Sequence, residues 1–217
     1  NASYYVDNNL EVTENLFWTL GGRYDHPTGF SDKKTWRTTL SYLVEPVNSR
    51  IHGSYGTSFK APSLYNLAFT PNLKHQEGEG WDLGVEVTLF EEKVIVDVTA
   101  FGYNIDDKIT WDPTAPSPGA YVNEGYKSEG VESSIIWKIQ PDLTFRGNYT
   151  YTAATSDVWD EPLYTPEHQA SVSLTWKTLD DKLDLKGSVL YVGERIAEYG
   201  STEQSPDYAT VNLAAQY

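Results

Sequence analysis

The strongest constraint on this chain is a residue period of two, carried in segments longer than most globular strands. Leu143, Phe145, Gly147, Tyr149 and Tyr151 alternate with Thr144, Arg146, Asn148, Thr150 and Thr152. Ala170, Val172, Leu174 and Trp176 alternate with Ser171, Ser173 and Thr175, and Trp81, Leu83, Val85, Val87 and Leu89 with Asp82, Gly84, Glu86 and Thr88. The stretches from Leu16 to Tyr24 and from Leu183 to Tyr191 repeat the pattern. Successive side chains of a strand point to opposite faces, so each segment has one apolar and one polar face. The segments run for about 9–12 residues, which suits a tilted strand crossing a bilayer; strands of globular proteins commonly stop near 5–6. About eleven such strands fill the chain, and no segment carries a convincing helical period.

The connections sort into two lengths. Short polar turns at 13–15, 45–49, 91–93, 140–142 and 179–182 alternate with long connections around 26–35, 61–78, 105–121, 156–168 and 195–207. In an up-and-down meander this gathers every short turn at one end and every long loop at the other. Transmembrane β-barrels of the outer membrane have that asymmetry, with short periplasmic turns and long extracellular loops. Trp18 and Trp176 lie toward short turns, and Tyr24, Tyr151 and Tyr191 toward long loops, which predicts two aromatic belts. A soluble β-sandwich also alternates, but its strands are shorter and it has no need of such regular connections.

Charge and composition narrow the function. Sixteen Lys and Arg against 31 Asp and Glu give a net charge of −15, which disfavours nucleic acid as a partner. There is no Cys, hence no disulfide framework and no thiolate chemistry. No apolar run reaches the roughly 18–20 residues of a spanning helix. The opening NASYYVDNN has neither a basic nor an apolar leader segment and reads as mid-strand.

Three stretches go beyond pattern: GTSFKAPSLYNL (56–67), TPNLKHQEGEGWDLGVEV (70–87) and YVNEGYKSEGVESS (121–134). Together with LFWTLGGRYDH (16–26) and the stretch from Tyr191 to Tyr217, they resemble, in order, the barrel domain of TonB-dependent outer-membrane receptors. The resemblance implies an all-β fold, an antiparallel up-and-down segment of about eleven strands from a barrel of about 22. Residues 1–217 would then be part of the barrel domain. The family's N-terminal plug domain and the last barrel strands would lie outside this chain: either other polypeptide supplies the missing strands, or the chain is an excised or re-engineered segment of the barrel.

The resemblance further implies active uptake of a scarce nutrient, a ferric siderophore or cobalamin, energised by the TonB complex through the plug. Haem receptors of the family carry a His between a Phe-Arg-Ala-Pro box, matched here by Phe59 to Pro62, and an Asn-Pro-Asn-Leu box, matched here by Thr70 to Leu73; none occurs here between Pro62 and Asn72, and His75 follows the second box out of that spacing. Aromatic residues of the long connections are the ligand candidates: Tyr65, Phe69, Trp111, Tyr121, Trp159 and Tyr164. Rings give large contact area at low entropic cost; the alternative is that they belong to the outer belt or pack loops together. Asp106, Asp107, Asp112, Asp157, Asp160 and Glu161 could hold a loop Ca²⁺, or simply form a solvated acidic face. Inward Arg23, Arg37, Glu86, Asp97, Glu132, Arg146 and Lys186 are expected to form lumen ion pairs or to face the plug. No catalytic motif occurs, so no enzyme is expected; His52 and Ser54 fall on the inward face. A passive porin-like channel and a soluble or re-engineered binding fragment remain the alternatives.

Overall fold

The computed structural model describes residues 2–27, 31–116, 119–157, 164–196 and 203–217. It holds one antiparallel sheet in which each strand pairs with its sequence neighbours. The strands are β1 (Ala2–Thr13), β2 (Leu16–His26), β3 (Lys33–Val44), β4 (Ser49–Lys60), β5 (Gln76–Leu89), β6 (Val94–Asp112), β7 (Ala120–Gln140), β8 (Leu143–Ser156), β9 (His168–Thr178) and β10 (Leu183–Val192). A two-residue pair, β11 (Arg195–Ile196) with β12 (Gln204–Ser205), stands apart, and β13 (Tyr208–Gln216) closes the eleven-stranded order beside β10.

Register sorts the side chains cleanly. Pairing carries Trp18 opposite Leu40, Leu40 opposite Gly53, Gly53 opposite Leu83, Leu83 opposite Ala100 and Ala100 opposite Val131. The same face continues through Tyr151, His168, Val172, Val189 and Val211. Among the described residues nothing covers it: Leu83 is 59% exposed, Val211 66% and Leu213 85%. The only buried apolar residues among those described are Leu73, Val192 and Ile196. A sandwich would bury this face against a second sheet, so the sandwich alternative is excluded. An uncovered apolar band of this extent is stable against hydrocarbon and a liability in water.

Aromatic rings bound the band. Trp18, Tyr42, Trp137, Phe145 and Trp176 lie on the apolar face near the short turns; Tyr24, Trp36, Tyr55, Trp81, Tyr151 and Tyr191 lie on it toward the long connections. Indole N–H groups find partners at the lower ring, Trp18 at Thr38 Oγ1 (2.8 Å) and Trp176 at Asp142 Oδ2 (3.0 Å). That combination of an apolar ring and a satisfied polar tip suits the membrane interface.

The opposite face is polar and largely self-neutralised in the first half. Arg23 Nε lies 2.7 Å from Asp25, Arg50 Nη2 lies 3.1 Å from Glu86, Arg37 pairs with Asp7 and His52 meets Asp97 at 2.9 Å. Glu132, Arg146 and Lys186, expected among the lumen ion pairs, make none with the described residues.

Two local expectations change. The connection placed around 105–121 is mostly strand: β6 and β7 run for 19 and 21 residues and leave only 113–119 between them. The segment 61–78 holds a short helix, α1 (Leu64–Phe69), and β5 has already begun at Gln76.

Candidate functional site

The site lies where the long connection after β4 meets the extended β6–β7 hairpin. Lys60 ends β4, and the Ala61-Pro62 step cannot continue the ladder because Pro lacks an N–H. Ser63 then caps α1: its Oγ accepts from the Asn66 N–H (3.1 Å), while the Ser63 N–H donates to Asn66 Oδ1 (2.9 Å). So short a helix is marginal alone and needs its cap and its tertiary contacts.

Those contacts come from β6 and β7. The Tyr121 N–H donates to Thr70 Oγ1 (3.1 Å). Asn123 accepts from the Lys74 N–H (2.9 Å) and donates to the carbonyls of Asp107 (2.7 Å) and Lys74 (3.3 Å). Lys74 Nζ lies 3.0 Å from Asp107 Oδ1. One amide side chain thereby ties the incoming loop to both strands of the hairpin.

Four of the six predicted aromatic residues meet here. Tyr65 and Phe69, four residues apart on α1, have ring centroids 5.1 Å apart. Phe69 stands edge-on to Trp111 at 5.5 Å and to Tyr121 at 6.2 Å; Trp111 and Tyr121 are 5.1 Å apart, and Tyr65 reaches Tyr121 at 6.2 Å. Edge-to-face pairs at these distances contribute about 0.5–1.5 kcal/mol beyond area burial. Trp111 lies against Gly119, whose φ of +100° and lack of a side chain allow the close approach. The group is not sealed: Leu64 is 86% exposed, Tyr65 64% and Phe69 41%. Tyr164 is exposed elsewhere, its N–H donating to the Ile196 carbonyl (2.8 Å), and Trp159 lies outside the described residues.

The other face of the hairpin holds a buried carboxylate. The side chain of Glu124 is 1% exposed and accepts from the hydroxyls of Thr110 and Ser156, with Lys108 Nζ at 3.5 Å. Lys108 in turn sits 4.2 Å from the Tyr126 ring centroid. Sequence reasoning missed Asn123, Glu124 and Lys108, although Ile105, Ile109 and Trp111 alternating with Lys108, Thr110 and Asp112 carry the strand period into this region.

The loop carboxylates are engaged singly. Asp107 pairs with Lys74, Asp112 accepts from the Thr114 N–H (2.8 Å) and hydroxyl (2.6 Å), and Asp157 accepts from the Gly125 N–H (3.0 Å). The bonds from Thr114 hold Asp112 below the usual carboxylate range. Asp106 accepts from Asn104 at 3.4 Å, and Asp160 and Glu161 lie outside the described residues. Among the described residues no three acidic or His groups are placed to share a metal ion. His52 and Ser54 bind different carboxylates, Asp97 and Asp82, on the polar face.

A one-sheet meander with an apolar outer band, aromatic girdles and a structured mouth at the long-loop end defines the wall of an outer-membrane β-barrel. The chain belongs to the TonB dependent receptor-like β-barrel family, whose model matches residues 1–217, and its place is the Gram-negative outer membrane. Among solved structures it is similar to a mutant of the ferric enterobactin receptor from Pseudomonas aeruginosa, at 18% identity and a TM-score of 0.79, covering 98% of this chain and 36% of that one. It is also similar to the siderophore receptor PirA from Pseudomonas aeruginosa (19%, TM-score 0.76, 98% and 39%). The ferripyoverdine receptor of the outer membrane of the same organism matches at 20% and 0.74, covering 98% and 32%. The chain thus spans about a third of the length of these relatives.

Proposed function

We propose that this chain forms the ligand-facing wall of an outer-membrane receptor that takes up a ferric siderophore with energy delivered by TonB. The aromatic group Tyr65–Phe69–Trp111–Tyr121 carries the reading. It stands on a braced hairpin at the long-loop end and leaves Tyr65 and Phe69 partly open. A rigid, flat-sided chelate gains contact area from such rings without ordering long side chains. The siderophore receptors among its structural relatives favour this ligand class over cobalamin.

The open strand edges β1 and β13 each pair on one side only. Unpaired backbone groups cost several kcal/mol each in hydrocarbon, so further strands complete the barrel, and a plug occupies its lumen. Glu132, Arg146 and Lys186 are among the inward charges left for that plug.

The test is uptake of radiolabelled ferric siderophores by cells carrying the complete receptor, with and without TonB. Uptake that disappears without TonB, together with loss of binding in Tyr65→Ala/Phe69→Ala at normal protein levels, is expected. Uptake independent of TonB, or sustained open conductance in a planar bilayer, would instead establish a passive porin-like channel.

A further inference from the structure

The two halves of the sheet hold charge differently on their inward faces. On β1 to β6 the arginines are matched within the wall, Arg23 by Asp25, Arg37 by Asp7 and Arg50 by Glu86. On β7 to β10 four cations gather toward the short turns without such partners. Register places Lys138, Thr144, Thr175 and Lys186 in one row across these four strands. Arg146 stands one row above on β8 and Lys177 one row below on β9, both on the same inward side. At ordinary strand spacing the patch is about 14 Å wide.

Little within the wall offsets this charge. The four side chains are exposed, and none makes an ion pair among the described residues. Asp184, opposite Lys177, is the one acid in these rows among the described residues. Asp142, in the turn beneath, is turned to the Trp176 indole on the other face, and Asp180 and Asp181 lie in a turn beyond the ladder. The neighbouring β13 presents Thr210, Asn212, Ala214 and Gln216 on this side and adds no charge. A chain of net charge −15 thus concentrates positive charge at one place on its inner wall.

Like charges at this spacing repel one another, and enclosing them against a second surface without counter-charges is strongly unfavourable. Carboxylates seated against them remove both costs, Arg146 as a planar fork and the lysines as point charges. One small anion would engage only a corner of a patch this wide.

We infer that the inner face of β7 to β10 seats an acidic protein surface inside the lumen, and that the self-paired wall of β1 to β6 does not. This rests on the receptor reading above, in which a plug fills the barrel. It adds which side of the wall holds the plug and by what chemistry. The occupant is not the transported chelate, because the patch lies at the short-turn end, opposite the ring group of the mouth.

The test is zero-length carbodiimide cross-linking of the complete receptor in outer membranes, read by peptide mass spectrometry. Lys138, Lys177 and Lys186 are expected to join Asp or Glu side chains of the plug, and Lys127 on the outward face to join none. Conductance in a planar bilayer gives a second readout. Arg146→Glu/Lys186→Glu should raise the open fraction about tenfold, the scale of one or two lost charge-assisted hydrogen bonds. Arg146→Lys/Lys186→Arg keeps the charges and should stay as closed as wild type. So should Arg50→Ala/Glu86→Ala, which removes one complete pair from the other half. Heat-modifiable gel mobility confirms that each variant is folded. Cross-links confined to barrel strands, or a folded charge-reversed receptor as closed as wild type, would overturn the inference while leaving TonB-dependent uptake standing. A wild-type receptor that is already open would overturn it together with the receptor reading.

Discussion

His52 Nε2 lies 2.9 Å from Asp97 Oδ2, reaching from β4 to β6 directly over Gly84 of the strand between them. Thr99 donates to the other oxygen of the same carboxylate at 2.8 Å. A Cβ on Gly84 would sit 2.3 Å from Thr99 Oγ1 and 2.5 Å from the His52 ring. The glycine is therefore the gap through which two non-adjacent strands of the inner wall are bonded.

Gly84→Ala should destabilise the folded barrel by about 1–3 kcal/mol, the usual cost of forcing atoms into a filled site. The cost should fall markedly in a His52→Ala/Thr99→Ala background, because the clashing atoms are gone and the effects are coupled. Urea unfolding in vesicles, compared across the cycle, measures this. A fully additive result would show that the glycine matters for some other reason.

Ser63→Ala removes the cap of α1 and should cost the helix about 1 kcal/mol. Since α1 carries Tyr65 and Phe69, the expected result is faster proteolytic cleavage within 61–75 and weaker ligand binding at unchanged barrel stability. Ser63→Asp, which keeps an acceptor at the cap, should restore most of both.

The eleven-strand meander and its two faces are legible in the sequence because a sheet in lipid must show the period of two at full strength, and because hairpin geometry ties turn length to barrel end. The length of β6 is not. Asp107 adopts a φ of 56° and the ladder shifts between Ile105 and Lys108. That bulge inverts the parity of the alternation: Val94, Val96 and Val98 hold even positions and Ile109 and Trp111 odd ones, so the run reads as interrupted although the strand continues. Helix α1 is too short to show a 3.6-residue period. The ring types of Tyr65, Phe69, Trp111 and Tyr121 mark them as candidates, but their meeting depends on pairing between segments about fifty residues apart, as in the Tyr121 to Thr70 bond. Glu124 reads like any inward strand acid, since its burial comes from Thr110 and Ser156 on neighbouring strands.

His75 gives the mouth a pH dependence. Burial pushes its imidazole below the ordinary His value, and the nearby Lys33 charge acts the same way, against the weaker pull of Glu77. The folded loop therefore favours the neutral ring, and the unfolded loop binds the proton more readily. The stability this contributes is present above the ordinary value of about 6.5 and is lost as pH falls from there through the lowered folded value. The protection factors of the residue 61–75 amides, each rate taken relative to the intrinsic rate at the same pH, should fall on acidification from about pH 7.5 to about pH 5. His75→Asn should flatten that response. A loop equally protected at both values in wild type would contradict it.

Glu124 supports the hairpin from the side opposite the rings, and its replacement separates two kinds of loss. Glu124→Ala leaves Lys108 without its partner and two hydroxyls without an acceptor, a change expected to cost about 3–5 kcal/mol because the site is buried. Glu124→Gln keeps the shape and one acceptor oxygen, but its NH₂ only donates, so one of the two hydroxyls of Thr110 and Ser156 loses its acceptor. It should lose less, about 1–3 kcal/mol. Both should loosen the β6–β7 extension ahead of the membrane-spanning strands, read as exchange of the 105–125 amides with the 94–104 amides still protected. Uniform loss across β6 would mean that the extension and the barrel wall unfold as one unit.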